Sequence, residues 1–448
     1  MATVGIVNSV NDDNINRSTT YEKGTYTIII KIGTSSICDE HSYFPKLANL
    51  SMLVEAIIEL KKLGHRPVLV SSGAVGTGLR RLNFKEKPTK SRAKVQAIAA
   101  VGQGRLMSKY DTLFSNFNQP IAQVLLSRSD LTERYQYINA CNTFNELLSM
   151  GVIPIVNEND TICNEHSRYG DNDTLSGITA GITNADFLFL LTDVDALYTD
   201  NPRNNPDAKP IHVVKDLEEL HVSISTPGSA IGTGGMSTKL VAADIASNAG
   251  CTTVIMNGKY PKNIVKIIKE ASEQEGTNKE IHPEIGTHFL PKEVLLKDRE
   301  WWIRFGLAPV GEIQIKPECV QRLVEQKLKL KSENPTTTTS ATTTSTSIQK
   351  LDSIYPIDVV DAKDYFFPNQ CISITSAIKN KDTGKEEVIE VGRALSNYTS
   401  SEILLIKGHD SCDIIKILGE TGPKVRKSIL SRENIALIIN KRLIQLFQ

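Results

Sequence analysis

This 448-residue chain has no excess of charge of either sign: 51 Lys and Arg stand against 51 Asp and Glu. The balance removes the electrostatic footprint of a protein devoted to nucleic acid or to an acidic membrane surface, and favours small-molecule chemistry. No run approaches the ~20 apolar residues that cross a bilayer, and the longest apolar stretches have the length of strands. Residues 1–24 lack a charged head followed by an apolar core. Rich in Asn, Asp, Ser and Thr, they are expected to form a polar tail and not a signal peptide, which points to the cytoplasm. The seven cysteines include no C-x-x-C pair, and an odd, scattered set fits a reducing compartment better than a complete disulfide framework. Cys163 and His166 have a C-x-x-H spacing, but no second pair supplies the other half of a four-ligand zinc site. No residue is therefore assigned as a direct metal ligand.

What is present is a long alternation of apolar runs with amphipathic stretches. The length exceeds the usual limit for a single core, so two domains are expected. Between Thr25 and Lys269 the runs Tyr26–Ile32, Pro67–Val70, Ile121–Leu125, Val152–Val156, Phe187–Thr192 and Thr252–Met256 read as buried parallel strands. Leu47–Leu63, Lys94–Phe114, Arg134–Met150 and Ser237–Asn248 read as the helices between them. The pattern predicts an α/β domain, an open and mostly parallel sheet sandwiched by helices. A composition break at Lys331–Ser347 is too poor in apolar residues to offset the entropy of ordering it, so disorder is expected there. Short strands are predicted on both sides, at Glu312–Ile315, Cys371–Ser376, Val388–Val391 and Ile403–Ile406. The tract thus reads as an insertion in a smaller β-rich domain.

Several strand ends carry polar or small residues where ligands of open α/β sheets bind. The first strand ends on Lys31 and Ile32 and is followed by Gly33, Thr34 and Ser35; after the second come Ser72, Gly73 and Ala74, where backbone N–H groups can approach a ligand without a Cβ in the way. Asn157 and Asp160 follow another strand and suit either an ammonium group or helix capping. In Gly170-Asp171-Asn172-Asp173 the carboxylates could hold lysine ammonium groups, help hold magnesium, or cap the following helix. Thr192 and Asp193 could meet the phosphates or ribose of a nucleotide. The loop Gly232-Thr233-Gly234-Gly235-Met236-Ser237-Thr238-Lys239 is glycine-rich, yet it is not a Walker A box, because three residues separate Gly235 from Lys239. Thr238 and Lys239 fall instead in the first turn of a helix, whose free N–H groups favour phosphate. Two lysines on two glycine loops point to phosphoryl transfer.

In this order, and with Ala99-Ala100-Val101-Gly102-Gln103 between them, these segments resemble the amino-acid kinase family over residues ~25 to ~330, nearest to members acting on L-glutamate. The C-terminal part resembles a PUA domain, best at Ala394–Tyr398 and Ser400–Gly408. The resemblance implies a tail at 1–24, a kinase domain at 25–300 and a PUA-like domain at 301–448 with its insertion at about 331–350. It implies ATP-dependent phosphorylation of the L-glutamate γ-carboxylate with Mg²⁺, feedback inhibition by proline, homo-oligomerisation and transient contact with a separate glutamyl-phosphate reductase. PUA domains elsewhere bind RNA, but residues 348–448 carry 14 basic against 13 acidic side chains, so RNA is not expected as a partner. By position, Lys31 and Lys239 would stabilise the transition state, with Asp173 and secondarily Asp171 orienting them. Ser72, Gly73, Asp160, Asn172 and Asn157 would contact the substrate. Lys31, Gly33, Thr34, Thr192, Asp193 and the run Thr233, Gly234, Gly235, Met236, Ser237, Thr238 and Lys239 would meet ATP.

Overall fold

A computed structural model describes residues 24–39, 41–88, 90–163, 169–200, 205, 207–220, 235–274, 284–292, 295–332, 352–379, 385–419, 426–438, 443–444 and 446. The larger part holds strands β1 (Thr27–Ile32), β2 (Arg66–Ser71), β3 (Ile121–Leu126), β4 (Ile153–Glu158), β5 (Phe187–Thr192), β6 (Leu197–Tyr198), β7 (Pro210–Ile211), β8 (Val213–Val214), β9 (Thr252–Asn257) and β10 (Thr287–Phe289). Between them run α1 (Thr34–Ile37), α2 (Leu47–Lys62), α3 (Ala74–Arg81), α4 (Arg92–Ser115), α5 (Arg134–Ser149), α6 (Asn172–Ile182), α7 (Met236–Ser247) and α8 (Lys262–Gln274). Eight strands form one sheet in the order β3-β4-β2-β1-β5-β9-β10-β8, and β6 and β7 form a separate antiparallel ribbon. From β3 to β9 every pairing is parallel; β10 turns antiparallel to β9.

Strand β1 sits mid-sheet, Lys31 opposite Val70 of β2 on one side and Leu190 of β5 on the other. Its alternation sorts the two layers. Ile28, Ile30 and Ile32 pack toward Leu50, Leu53 and Ile57 of α2 and Ile264 and Ile268 of α8. Ile29 faces the opposite layer, with Phe144 of α5, Ile178 of α6 and Ala242 of α7. All four isoleucines are essentially without solvent contact, and each such burial contributes ~1.5–3 kcal/mol. Lys31 shares the parity of Ile29, so the strand aims its one charge at the α6–α7 layer.

Helices α3 and α4 cross through glycines. A Cβ on Gly102 would lie 1.8 Å from the Ala74 carbonyl oxygen, and one on Gly78 would lie 2.0 Å from that of Ile98. Both obstacles are backbone, which cannot rotate aside. Gly102→Ala should therefore lower stability by more than ~2 kcal/mol, since overpacking of this kind forces backbone shifts; a urea unfolding curve with an unmoved midpoint would show that the crossing yields.

The C-terminal part holds α9 (Asp298–Trp301), β11 (Glu312–Ile315), α10 (Pro317–Ser332), β12 (Val359–Lys363), β13 (Cys371–Lys379), β14 (Glu386–Leu395), α11 (Ser400–Ile406), α12 (Ile414–Leu418) and β15 (Ile435–Leu437). Its five strands are ordered β12-β11-β13-β14-β15 around their own core of Ile313, Leu323, Ile374 and Ile403. The run Ile403–Ile406, expected as a strand, is instead the end of α11. Thr399 caps that helix and Glu402 returns a bond to the Thr399 backbone, a capping box that overrides the apolar run. The expected tail and most of the Thr/Ser tract lie outside the described residues. Helix α9 and the π-turn Trp302–Gly306 join the two parts: Trp301 Nε1 donates to the Ile245 carbonyl (3.1 Å), Trp302 Nε1 to that of Leu131 (2.7 Å), and Arg393 of β14 to that of Arg304 (2.8 Å). Among the described residues no helix is long and apolar enough to cross a membrane.

Candidate active site

Because β1, β2, β4, β5 and β9 are parallel, their C-terminal ends open on one edge of the sheet, and the N-termini of α6 and α7 return to that edge. The centre of the arrangement is Asp173, whose side chain has no solvent exposure. Lys31 Nζ lies 2.6 Å from Asp173 Oδ1, and Lys239 Nζ 3.1 Å from Oδ2. The Thr238 hydroxyl donates to the same Oδ2 at 2.8 Å. One carboxylate thus joins the central strand to the first turn of α7.

Burial alone would raise the carboxyl of Asp173, but the two ammonium groups outweigh it and hold its pKa at about 2. Burial pushes the Lys31 ammonium below its ordinary 10.5, with Lys239 acting in the same sense and Asp173 opposing both. A carboxyl depressed in the folded state contributes stability that is complete above its unfolded pKa near 4 and lost as pH falls through about 2. Asp173 should therefore supply on the order of 2 kcal/mol of acid-sensitive stability between pH 4 and 2. Unfolding free energies of the parent chain and of Asp173→Asn across that range check this; equal slopes would contradict it.

Asp171 sits beside this pair but does something else. It caps α6, accepting from the Thr174 backbone N–H at 2.7 Å and the Thr174 hydroxyl at 3.0 Å. No ion pair joins it to Lys31 or Lys239, although its charge is felt at Lys31. Burial raises the pKa of Asp171, and the nearby Asp173 charge adds to the rise. Of the two carboxylates expected to orient the lysines, only Asp173 touches them.

A second cluster lies on the β2–β4 side. Asn172 donates to Ser72 Oγ and to Asn157 Oδ1, both at 2.9 Å, and Asn157 donates to Gln103 Oε1 at 2.9 Å. Ser71 Oγ, beneath Ser72, meets the Tyr110 hydroxyl at 2.8 Å. Gly73 caps α3 with φ +98°, a left-handed conformation that favours glycine. Ser72, Gly73, Asn157, Asp160 and Asn172 line one pocket together with Thr34. Every residue expected to contact the substrate is thus in one place. Gln103 was not singled out as a site residue, although its stretch from Ala99 was noted; among the described residues its buried Nε2 has no hydrogen-bond partner. Tyr110 was missed because nothing local marks it.

The side expected to meet the nucleotide is the more open one. Thr192, half-buried at the end of β5, bonds to exposed Asp193, and Gly235 begins α7 with its N–H on Thr238 Oγ1 at 3.1 Å. Met236 is half-buried and Ser237 exposed. A Cβ on Gly33 would come into van der Waals contact with Lys31 Nζ at 3.7 Å, so the glycine leaves the approach to that ammonium group clear of a side chain. Gly232, Thr233 and Gly234 lie outside the described residues, as does His166. Among the described residues no group of three or more His, Cys, Asp or Glu could hold a metal, and all seven cysteines are free thiols.

Two ammonium groups on one buried carboxylate leave a net positive charge beside two helix N-termini, a setting for phosphate. The chain belongs to the amino acid kinase family, whose sequence pattern it matches over residues 26–257. More particularly, it is similar to glutamate 5-kinases. It is 48% identical to the probable glutamate 5-kinase of Schizosaccharomyces pombe over 88% of this chain and 90% of that protein. It is 43% identical to the glutamate 5-kinase of Rippkaea orientalis over 92% of this chain and 99% of that one, and 41% identical to the Nostoc sp. enzyme over 92% and 97%.

Proposed function

We propose that this chain transfers the γ-phosphoryl group of ATP to the γ-carboxylate of L-glutamate, forming L-glutamyl 5-phosphate for proline biosynthesis. The observation that carries the reading is Asp173 held between Lys31 and Lys239, next to the Ser72–Asn172–Asn157 cluster. A γ-carboxylate has a pKa of about 4.3 and is already an anion at pH 7, so no general base is needed. What remains is alignment and charge neutralisation. Lys31 and Lys239 stabilise the negative charge that spreads over the transferred phosphoryl group, and Asp173 fixes where their ammonium groups stand. Ser72, Asn157 and Asn172 orient the acceptor, Asp160 takes its ammonium group, and the edge from Gly33 and Thr34 to Thr192, Asp193 and the start of α7 takes the nucleotide. When bound as MgATP, magnesium would supply further positive charge at the phosphates, beside Lys31 and Lys239, and no residue is assigned as its direct ligand.

The same reading carries feedback inhibition by proline at the glutamate pocket, assembly into homo-oligomers, and transient contact with a separate reductase that consumes the labile acyl phosphate. It places the protein in the cytoplasm, with neither RNA nor membrane as partner, and divides it into tail, kinase domain and PUA-like domain. Coupled ADP release with L-glutamate, L-aspartate, N-acetyl-L-glutamate and UMP as acceptors, with hydroxylamine trapping, tests the activity. Turnover and hydroxamate with L-glutamate are expected; turnover with another acceptor and none with glutamate would overturn it.

A further inference from the structure

The acceptor pocket is acidic, and its one cationic lining residue among those described belongs to no motif noted in the sequence. Glu158, Asp160 and Asp171 all line it, and among the described residues the only positively charged lining residue is Lys87. Lys87 comes from the connection between α3 and α4, after the chain reverses at Asn83 in a left-handed conformation (φ 55°). It is half-buried, and among the described residues its ammonium group makes no ion pair or hydrogen bond. Lys31 and Lys239, by contrast, are committed to Asp173.

The proposed acceptor has two carboxylates and one ammonium group, a net charge of −1. The carboxylate that receives phosphate is served by Lys31 and Lys239. The other would face the three pocket carboxylates, and a like charge brought among them without a counter-ion is repelled. We propose that Lys87 binds this second, non-reacting carboxylate and makes the site select an acceptor that carries it. Glu158 is bonded to the Tyr169 backbone N–H at 2.6 Å and Asp171 to Thr174, so the pocket acids nearest the backbone are held by the fold. Among the described residues, Lys87 is the lining cation left over for a ligand.

This inference rests on the reading of L-glutamate as acceptor. Its test compares L-glutamate with L-isoglutamine, which keeps the γ-carboxylate and replaces the α-carboxylate with a neutral amide. Initial rates give kcat and KM for L-glutamate and MgATP, and KM for isoglutamine, or its Ki against glutamate where turnover is too slow. In Lys87→Met, KM for L-glutamate should rise by about 10- to 100-fold, the weight of one charge-assisted contact, with kcat within about 3-fold and KM for MgATP unmoved. The parent enzyme should discriminate against isoglutamine by a similar factor, and Lys87→Met should treat both acceptors nearly alike. Lys87→Arg should recover most of the loss. An unchanged glutamate KM in a folded Lys87→Met, an equal loss on both acceptors, or a rise in KM for MgATP would each overturn the assignment. A parent chain that forms no glutamyl hydroxamate would instead defeat the proposed function itself.

Discussion

Asp173→Ala is expected to abolish measurable turnover and to destabilise the fold by about 3–5 kcal/mol, the cost of breaking a buried ion pair by removing one partner. Lys31 is 6% and Lys239 7% exposed, so neither can turn its ammonium group to water without moving its backbone. Without the carboxylate, two like charges remain side by side in a dry layer. They must repel, deprotonate or drag β1 and α7 apart. Each response removes the positive field from the place where the phosphoryl group passes. Asp173→Asn keeps the shape and the Thr238 contact in kind but not the charge, so it should lose turnover nearly as far while retaining more of the stability. Chemical denaturation and single-turnover rates on both variants check the pair of expectations. A folded Asp173→Ala with turnover within tenfold of the parent would remove the carboxylate from the account.

Lys239→Ala should lower kcat by at least ~100-fold, as removal of a strong electrostatic stabiliser does. Here the fold should survive, because Asp173 keeps Lys31 at 2.6 Å and is no longer shared. The informative readout is the division between constants. A group that acts only in the transition state lowers kcat and kcat/KM together, whereas one that merely holds ATP raises KM for ATP at constant kcat. The first pattern is expected, since Lys239 lies against the carboxylate that also holds Lys31. A variant with near-normal kcat and weakened ATP binding would reduce Lys239 to a phosphate tether.

Much of this site was legible in the chain, and the reasons are physical. Phe187–Thr192 could be read to the residue because a strand buried on both faces by helices must be apolar throughout and stop where ligands begin. Helices α2, α4, α5 and α7 were read to within two residues at each end from their apolar faces. Lys31, Asp173 and Lys239 were placed together from motif order, and the distances put both lysines on one carboxylate. The resemblance ranks Asp173 ahead of Asp171, but the sequence itself does not show that only Asp173 touches the lysines. Two positions apart at a helix start, one takes the capping position and the other turns inward, and only the packing of α6 against β1 and α7 decides which lysine contacts result. Ile403–Ile406 shows the other limit, since four apolar residues fit either a strand or a helix. Thr399 and Glu402, spaced as a capping box, were the signal that could have settled it. Gln103, Tyr110 and Lys87 reach the site by tertiary contact from α4 and the connection before it, and no local spacing marks such residues.

The central claim is that the acceptor carboxylate itself attacks phosphorus while the lysines carry the charge. L-Glutamate labelled with ¹⁸O in the γ-carboxylate, MgATP and hydroxylamine test it directly. Attack by a carboxylate oxygen on the γ-phosphorus breaks the bond to ADP and leaves that oxygen bridging carbon and phosphorus. Hydroxylamine then attacks the acyl carbon, and the released phosphate keeps the bridging oxygen. Mass spectrometry should find one ¹⁸O in each phosphate formed, at a rate that falls at least ~100-fold in Lys239→Ala. Phosphate free of ¹⁸O, formed as fast as ADP, would contradict the account.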